Sequence, residues 1–157
     1  MKDLLEFNYQ TDEDLIGYEL LFNNLLKSTK EILKIDQILS LSVNYIDPLN
    51  SKELNNNYRG KDYVGDVISF PIDDDFGIYE QLGFKEIGDI FITFDEAQRK
   101  AQKYNHSIKE EMAWLFTHGL LHILGYDHET SEEDEKEMFE LTNKILEKQN
   151  LEYIMPY

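Results

Sequence analysis

Residues 108–124 place Met112, Trp114, Leu115, Phe116, Leu120 and Leu121 on most sides of one helix. A helix that is apolar on most sides has to be buried, so the rest of the chain must be arranged to cover it. Ser107 and Glu110 form a capping box at its start. The same segment carries the chemistry. The chain has four histidines, and His118, His122 and His128 fall within eleven residues, His118-Gly-Leu-Leu-His122-Ile-Leu-Gly125-Tyr126-Asp127-His128. Residues four apart share a helix face, one turn above the other. Gly125 can end the helix in a left-handed conformation and let the chain fold back, so that His128 returns toward the first two rings. Three neutral imidazoles at about 2.0–2.1 Å from one point make a zinc site with its fourth position open, the catalytic form rather than the structural one. The competing reading is a set of hydrogen-bonded core histidines. Three at this spacing, beside a glycine that permits the return, favour the metal. His106 stands alone before the helix cap and reads as a surface residue.

The spacing also matches that of metzincin zinc proteases, with one decisive departure. Those enzymes need Glu directly after the first histidine as general base, and this chain has Gly119. The metal geometry is kept while peptide hydrolysis loses its support. Spacing does not choose the metal, since imidazole also suits nickel, copper and iron. Asp127, beside the third candidate ligand, can orient a ligand imidazole or a water, or can be a plain turn residue. Asp89, after Gly88 at a strand start, is either support for the site or a simple loop carboxylate.

At 157 residues the chain has the length of one ordinary domain, and 41% hydrophobic content suits a globular core. With no cysteine there is no disulfide framework and no thiolate zinc site, which is compatible with a reducing compartment. The first residues carry acids where a signal peptide would be apolar. No stretch approaches the roughly 18 apolar residues of a membrane span. The expectation is a soluble, cytoplasmic protein without membrane association. A net charge of −17 counts against tight, non-specific binding to nucleic acid, which depends on neutralising phosphates. The charge is uneven. Residues 129–148 hold eight acids against three lysines, a solvated helix face or a docking face for basic proteins. Basic residues gather at Lys52, Arg59 and Lys61, and at Arg99, Lys100, Lys103 and Lys109.

Alternation predicts strands over 3–9, 37–46, 64–70 and 89–94, the third stopped by Pro71. Helical spacing of Leu15, Tyr18, Phe22 and Leu25 predicts a helix opened by Thr11 and Asp14. Asp47-Pro48 opens a second helix toward Asn57, and Asp95 a third through Tyr104. Thr130 with Glu133 forms a capping box for the last, whose core stripe is Met138, Leu141 and Ile145. Residues 72–87 read as an irregular loop or hairpin excursion. The expected fold is α+β: one compact domain over 1–157, a sheet of about four strands packed with helices, and the zinc site on a central helix and its following loop.

Three blocks of the chain together resemble the YbeY family. They are Leu54 through Pro71, containing Tyr58-Arg59-Gly60-Lys61-Asp62 and Asp66-Val-Ile-Ser69-Phe70-Pro71, then Gly88-Asp89-Ile90, then Glu110 through His128. The likeness runs from about Asn44 to Leu146. It implies a zinc-dependent, single-strand-specific endoribonuclease of rRNA maturation, associated with small-subunit rRNA 3′-end processing and ribosome quality control. Its implied partners are rRNA and the ribosome or its small-subunit proteins, rather than DNA. Carried over by motif, His118, His122 and His128 bind one Zn2+ per chain, and Arg59 is essential to activity. Asp127 and Asp89 are the candidates for positioning the nucleophile. Gly65 departs from the family, which usually has threonine there. The residue chemistry agrees with the resemblance. An open zinc site can polarise a phosphoryl oxygen, and Arg59 offers a planar, permanently charged fork for phosphate, with Lys61 adding attraction. Two other readings stay open: a metallohydrolase of peptides or small molecules, and a ribosome-assembly module with structural zinc.

Overall fold

The computed structural model describes residues 3–11, 14–60, 67–72, 84–126 and 131–151. In chain order these form β1 (Leu4–Tyr9), α1 (Tyr18–Leu33), β2 (Leu39–Ile46), α2 (Pro48–Arg59), β3 (Val67–Pro71), β4 (Lys85–Thr93), α3 (Phe94–Tyr104), α4 (Ile108–Ile123) and α5 (Glu132–Glu147). The strands make one mixed sheet in the order β1-β2-β4-β3. β1 and β4 both run parallel to β2, and β3 runs antiparallel to β4. This is the expected α+β arrangement; of the residues expected in a hairpin excursion, 73–83 lie outside the described residues, and Ile72 N bonds to Ile87 O at 2.9 Å beside the β3–β4 pairing.

Side-chain alternation sorts the sheet into two faces. Leu41, Val43 and Tyr45 of β2 align with Gly88, Ile90 and Ile92 of β4, and with Leu5, Phe7 and Tyr9 of β1. This face is covered by α1, α3, α4 and α5, whose Phe22, Ala97, Phe116 and Met138 are buried in the same core. The opposite face carries Ser42, Asn44, Asp89, Phe91 and Phe70. There α2 lies over the β3–β4 half, with Tyr58 edge-on to Phe70 at 5.3 Å.

Helix α4 is the centre of the core. It touches α1, α3, α5, β3 and β4, and twelve of its sixteen residues are buried. Phe116 stacks on Phe22 of α1 with ring centroids 4.4 Å apart. Gly119 is where the helix meets the sheet: a Cβ there would lie 3.2 Å from Val67 Cγ2 and 3.3 Å from Ile90 Cγ2. Gly88 serves the neighbouring contact. Its φ is +151°, and a Cβ would lie only 2.3 Å from the Phe70 carbonyl oxygen, so any side chain would force β3 away from β4.

Several helix starts differ from expectation. α1 begins at Tyr18, with Gly17 before it making no side-chain cap, while Asp14 Oδ1 accepts weakly from Ile16 N at 3.5 Å. Asp14 therefore bonds within the approach turn and does not cap the helix. α3 begins at Phe94 with Asp95 in its first turn, where a carboxylate complements the helix dipole without capping. β4 starts at Lys85, ahead of the expected Asp89, because an irregularity between Ser40 and Leu41 lets the ladder continue past Gly88. Thr130 lies outside the described residues. Ser131 caps α5, accepting from Asp134 N at 3.1 Å. Asp47 caps α2 as expected, accepting from Asn50 N at 2.7 Å. His106, expected on the surface, is half-buried.

The capping box on α4 is complete: Ser107 Oγ accepts from Glu110 N at 3.1 Å and Glu110 Oε1 accepts from Ser107 N at 3.0 Å. The hydrogen bond from the Ser107 backbone, with smaller help from its hydroxyl and from His106, holds the Glu110 carboxyl below its ordinary range. A depressed folded-state pKa contributes stability above the unfolded value and loses it as pH falls through the folded one. Ser107→Ala is expected to lower unfolding stability by about 1 kcal/mol. Glu110→Gln should be less stable than wild type at pH 7, with the gap closing below about pH 4.5 in denaturant titrations.

Candidate metal centre

His118 and His122 occupy successive turns of α4, as their spacing requires. Their ring centroids are 4.7 Å apart and their planes nearly perpendicular, at 88°. His118 is buried, at 7% exposure, with its Nδ1 inside the protein. His122, one turn nearer the helix end, is half-exposed. The pair thus runs from the interior toward solvent along one face of the helix.

The helix then stops as its glycine demands. Gly125 has φ +107°. Its N–H bonds to His122 O at 3.1 Å and the N–H of Tyr126 bonds to Leu121 O at 3.0 Å, the paired bonds of a Schellman ending. The chain leaves the helix within three residues of His122. Asp127 and His128 follow at once, and both lie outside the described residues. Among the described residues no three potential ligands come together.

Arg59 is the last residue of α2. Gly60 closes that helix at φ +66°, its N–H reaching Asn55 O and Asn56 O. β3 is the edge strand that Tyr58 touches on one sheet face and α4 packs against on the other. The end of α2 and the histidine helix are therefore brought to the same edge of the sheet. The side chain of Arg59 and all of Lys61 lie outside the described part.

Asp89 is placed differently. Ile90 faces α4 across Gly119, so Asp89, one residue away, points to the opposite face of the sheet. There its Oδ1 accepts from Ser42 Oγ at 2.5 Å. Asn44 Nδ2 donates to Ser42 Oγ at 2.8 Å and Asn8 Nδ2 to Asn44 Oδ1 at 2.9 Å. Asp89 is the end of a polar chain that spans three strands, and the structure does not bring it together with the two histidines.

Trp114, which motif reasoning passed over, lies against His118. The indole and imidazole stack with centroids 4.4 Å apart and planes 13° from parallel. Phe139 of α5 lies near the same ring, 6.4 Å away and inclined at 29°. The signal was available, since Trp114 stands four residues before His118 on the same helix.

The segment from α2 through α5 lies inside a match to the protein family described as Endoribonuclease YbeY, which covers residues 6–150. The chain belongs to the endoribonuclease YbeY family. A protein called Endoribonuclease YbeY from Mesoplasma florum is 42% identical over 153 residues, covering 98% of this chain and 90% of the relative. One from Spiroplasma citri is 43% identical over 148 residues, with 93% of each covered. Among solved structures, the solution structure of TM1509 from Thermotoga maritima aligns with a TM-score of 0.53 at 27% identity, covering 94% of this chain and 92% of that one. The YbeY match contains all three candidate histidines, Arg59, Lys61, Asp89 and Asp127.

Gly119 leaves no room for the glutamate that a zinc protease carries at this place in its motif. The position after His118 faces Val67 and Ile90, so a glutamate there would project into the sheet rather than toward a metal. Gly119→Glu would write the His-Glu-x-x-His motif into the chain. It is expected to destabilise the fold by at least about 3 kcal/mol, by burying an uncompensated charge, and to cleave no casein. A thermal melt beside a protease assay checks both.

Proposed function

We propose that this chain is a zinc-dependent, single-strand-specific endoribonuclease of the cytoplasm, acting in small-subunit rRNA 3′-end maturation and in ribosome quality control. The observation that carries the reading is the His118–His122 pair, nearly perpendicular at 4.7 Å, on a helix that Gly125 ends just before Asp127 and His128. The donor set suits the ion: imidazoles four apart on one helix face, one buried and one reaching solvent, are ligands of the kind zinc takes. His118, His122 and His128 would hold one zinc in a single domain spanning 1–157. Among the described residues no helix is long and apolar enough to cross a membrane.

Zinc held there by the three histidines would supply Lewis-acid chemistry for phosphoryl transfer. The remaining roles fall to the chain's own groups. The Arg59 guanidinium holds the scissile phosphate bidentately and balances the charge that develops on its oxygens. Lys61 adds attraction for the neighbouring backbone. Asp127, next to the third ligand, fixes an imidazole tautomer or accepts a proton from the nucleophile. Asp89 contributes at a distance, holding β4 to β2 through Ser42.

RNA and the ribosome are the proposed partners. The net charge of −17 makes bare RNA a poor long-range target. The first turn of α5, with Glu132, Glu133 and Asp134 exposed and Glu135 half-buried, offers an acidic surface to small-subunit proteins.

Zinc-loaded protein is expected to cut a labelled single-stranded fragment from the small-subunit rRNA 3′ end. His118→Ala should remove the activity, and Arg59→Glu should lower the rate by about 10²–10³-fold or more, as loss of one transition-state donor does. A chelator should abolish cleavage and added zinc restore it. Full activity in His118→Ala, or cleavage of casein in place of RNA, would overturn the reading.

A further inference from the structure

The one tryptophan in the chain, Trp114, lies face to face with the imidazole of His118, 4.4 Å between centroids and 13° from parallel. Phe139 of α5 stands 6.4 Å from the same imidazole and 6.2 Å from the Trp114 ring. A buried imidazole on a helix can turn about its terminal torsion, which is broad rather than sharply staggered. Parallel contact with a bicyclic ring removes that freedom, because rotation would drive the imidazole edge into the indole face. His122 is set across it at 88°. The lone pair of a ring nitrogen lies in the ring plane, so holding the plane of His118 also aims its lone pair. A metal-bound imidazole carries part of the positive charge of the ion, which the electron-rich indole face favours.

From this geometry we infer that Trp114 is a positioning residue for the metal: it orients the His118 ring and raises its affinity for a divalent cation, with Phe139 supporting the contact from α5. The inference rests on the metal reading above. Trp114 is buried against the imidazole and has no metal-ligating atom of its own. Its effect is exerted through the ligand, as the effect of groups behind a metal ligand commonly is, at about 10–100-fold in affinity.

Co(II) makes the test independent of RNA cleavage. Bound by nitrogen ligands in a tetrahedral site it has visible absorption bands whose position and intensity report ligand geometry, and it quenches a nearby indole. The whole protein is titrated with Co(II), following both the visible bands and Trp114 emission, and dissociation constants are measured against a chelator for wild type and variants. The expected result is saturable binding with quenching in wild type, and loss of the bands in His118→Ala. Trp114→Met, which fills the space without a flat ring, should weaken binding about 10–100-fold and shift the bands. Trp114→Phe should recover most of the loss, and Phe139→Leu should weaken binding less than Trp114→Met does. Circular dichroism and melting curves establish which variants are folded.

If folded Trp114→Met binds Co(II) as tightly as wild type with unchanged bands, or Phe is no better than Met, Trp114 does not position the ligand. If Trp114→Met does not fold, wild-type emission and Trp114→Phe decide. Bands without quenching place the indole away from the metal and overturn the inference, whereas quenching with near-wild-type affinity in Trp114→Phe supports it. If wild type binds no Co(II), the metal reading itself fails and takes this inference with it.

Discussion

Everything in this domain is arranged around the contact of one helix with one sheet. α4 has no polar side broad enough to face water, so two strands, β3 and β4, and three other helices are drawn around it. The approach is closest at Gly119, whose missing side chain lets the helix backbone come down on Val67 and Ile90. The hydrophobic stabilisation of such a helix is large, about 1.5–3 kcal/mol for each fully buried Leu, Phe or Met side chain. It is gained only when the strands are already paired. Gly88 guards the other half of the contact by letting the Phe70 carbonyl come close to β4. The two glycines act on different partners, but both hold β3 and β4 in the position that α4 needs.

The same helix carries the proposed metal centre, so on that reading protein stability and metal binding would share residues. His118 is part of the packed interior between Trp114 and Phe139, while His122 faces outward. A side chain that fills space in this way is held by many contacts at once, so its ring would be fixed before any ion arrived. Preorganisation of this kind lowers the cost of forming a metal site, because the conformational freedom has been given up during folding.

Much of this was legible in the chain because it depends on short-range geometry. The Ser107–Glu110 box, the Asp47-Pro48 start, the burial of α4 and the turn at Gly125 all follow from spacings of four residues or fewer. Thr11 and Asp95 misled for a related reason: a side chain able to cap does so only if the approaching backbone presents it to the right N–H groups, and the approach is set by tertiary packing. The order β1-β2-β4-β3 was not legible at all, since parallel pairing joins residues some tens apart with no local mark. Nor was the face on which Asp89 falls. One residue of register decides whether it joins the histidines or the Ser42–Asn44–Asn8 chain, and the irregularity at Ser40–Leu41 has no sequence signature. The stack of Trp114 on His118 follows from their spacing of four residues on one helix.

The Schellman ending at Gly125 has an implication for timing. It closes α4 after the last helical residue, and α4 itself is covered only when β3 and β4 have paired and α1, α3 and α5 have packed around it, a set of contacts far apart in the chain and therefore slow to form. The two helical histidines therefore acquire their relative orientation with the final collapse and not in an isolated segment, since a helix of this length is marginal in water. A chain emerging during synthesis would pass through its early stages with a motif but no site. An activity that cuts RNA would be withheld until the whole domain had condensed around it.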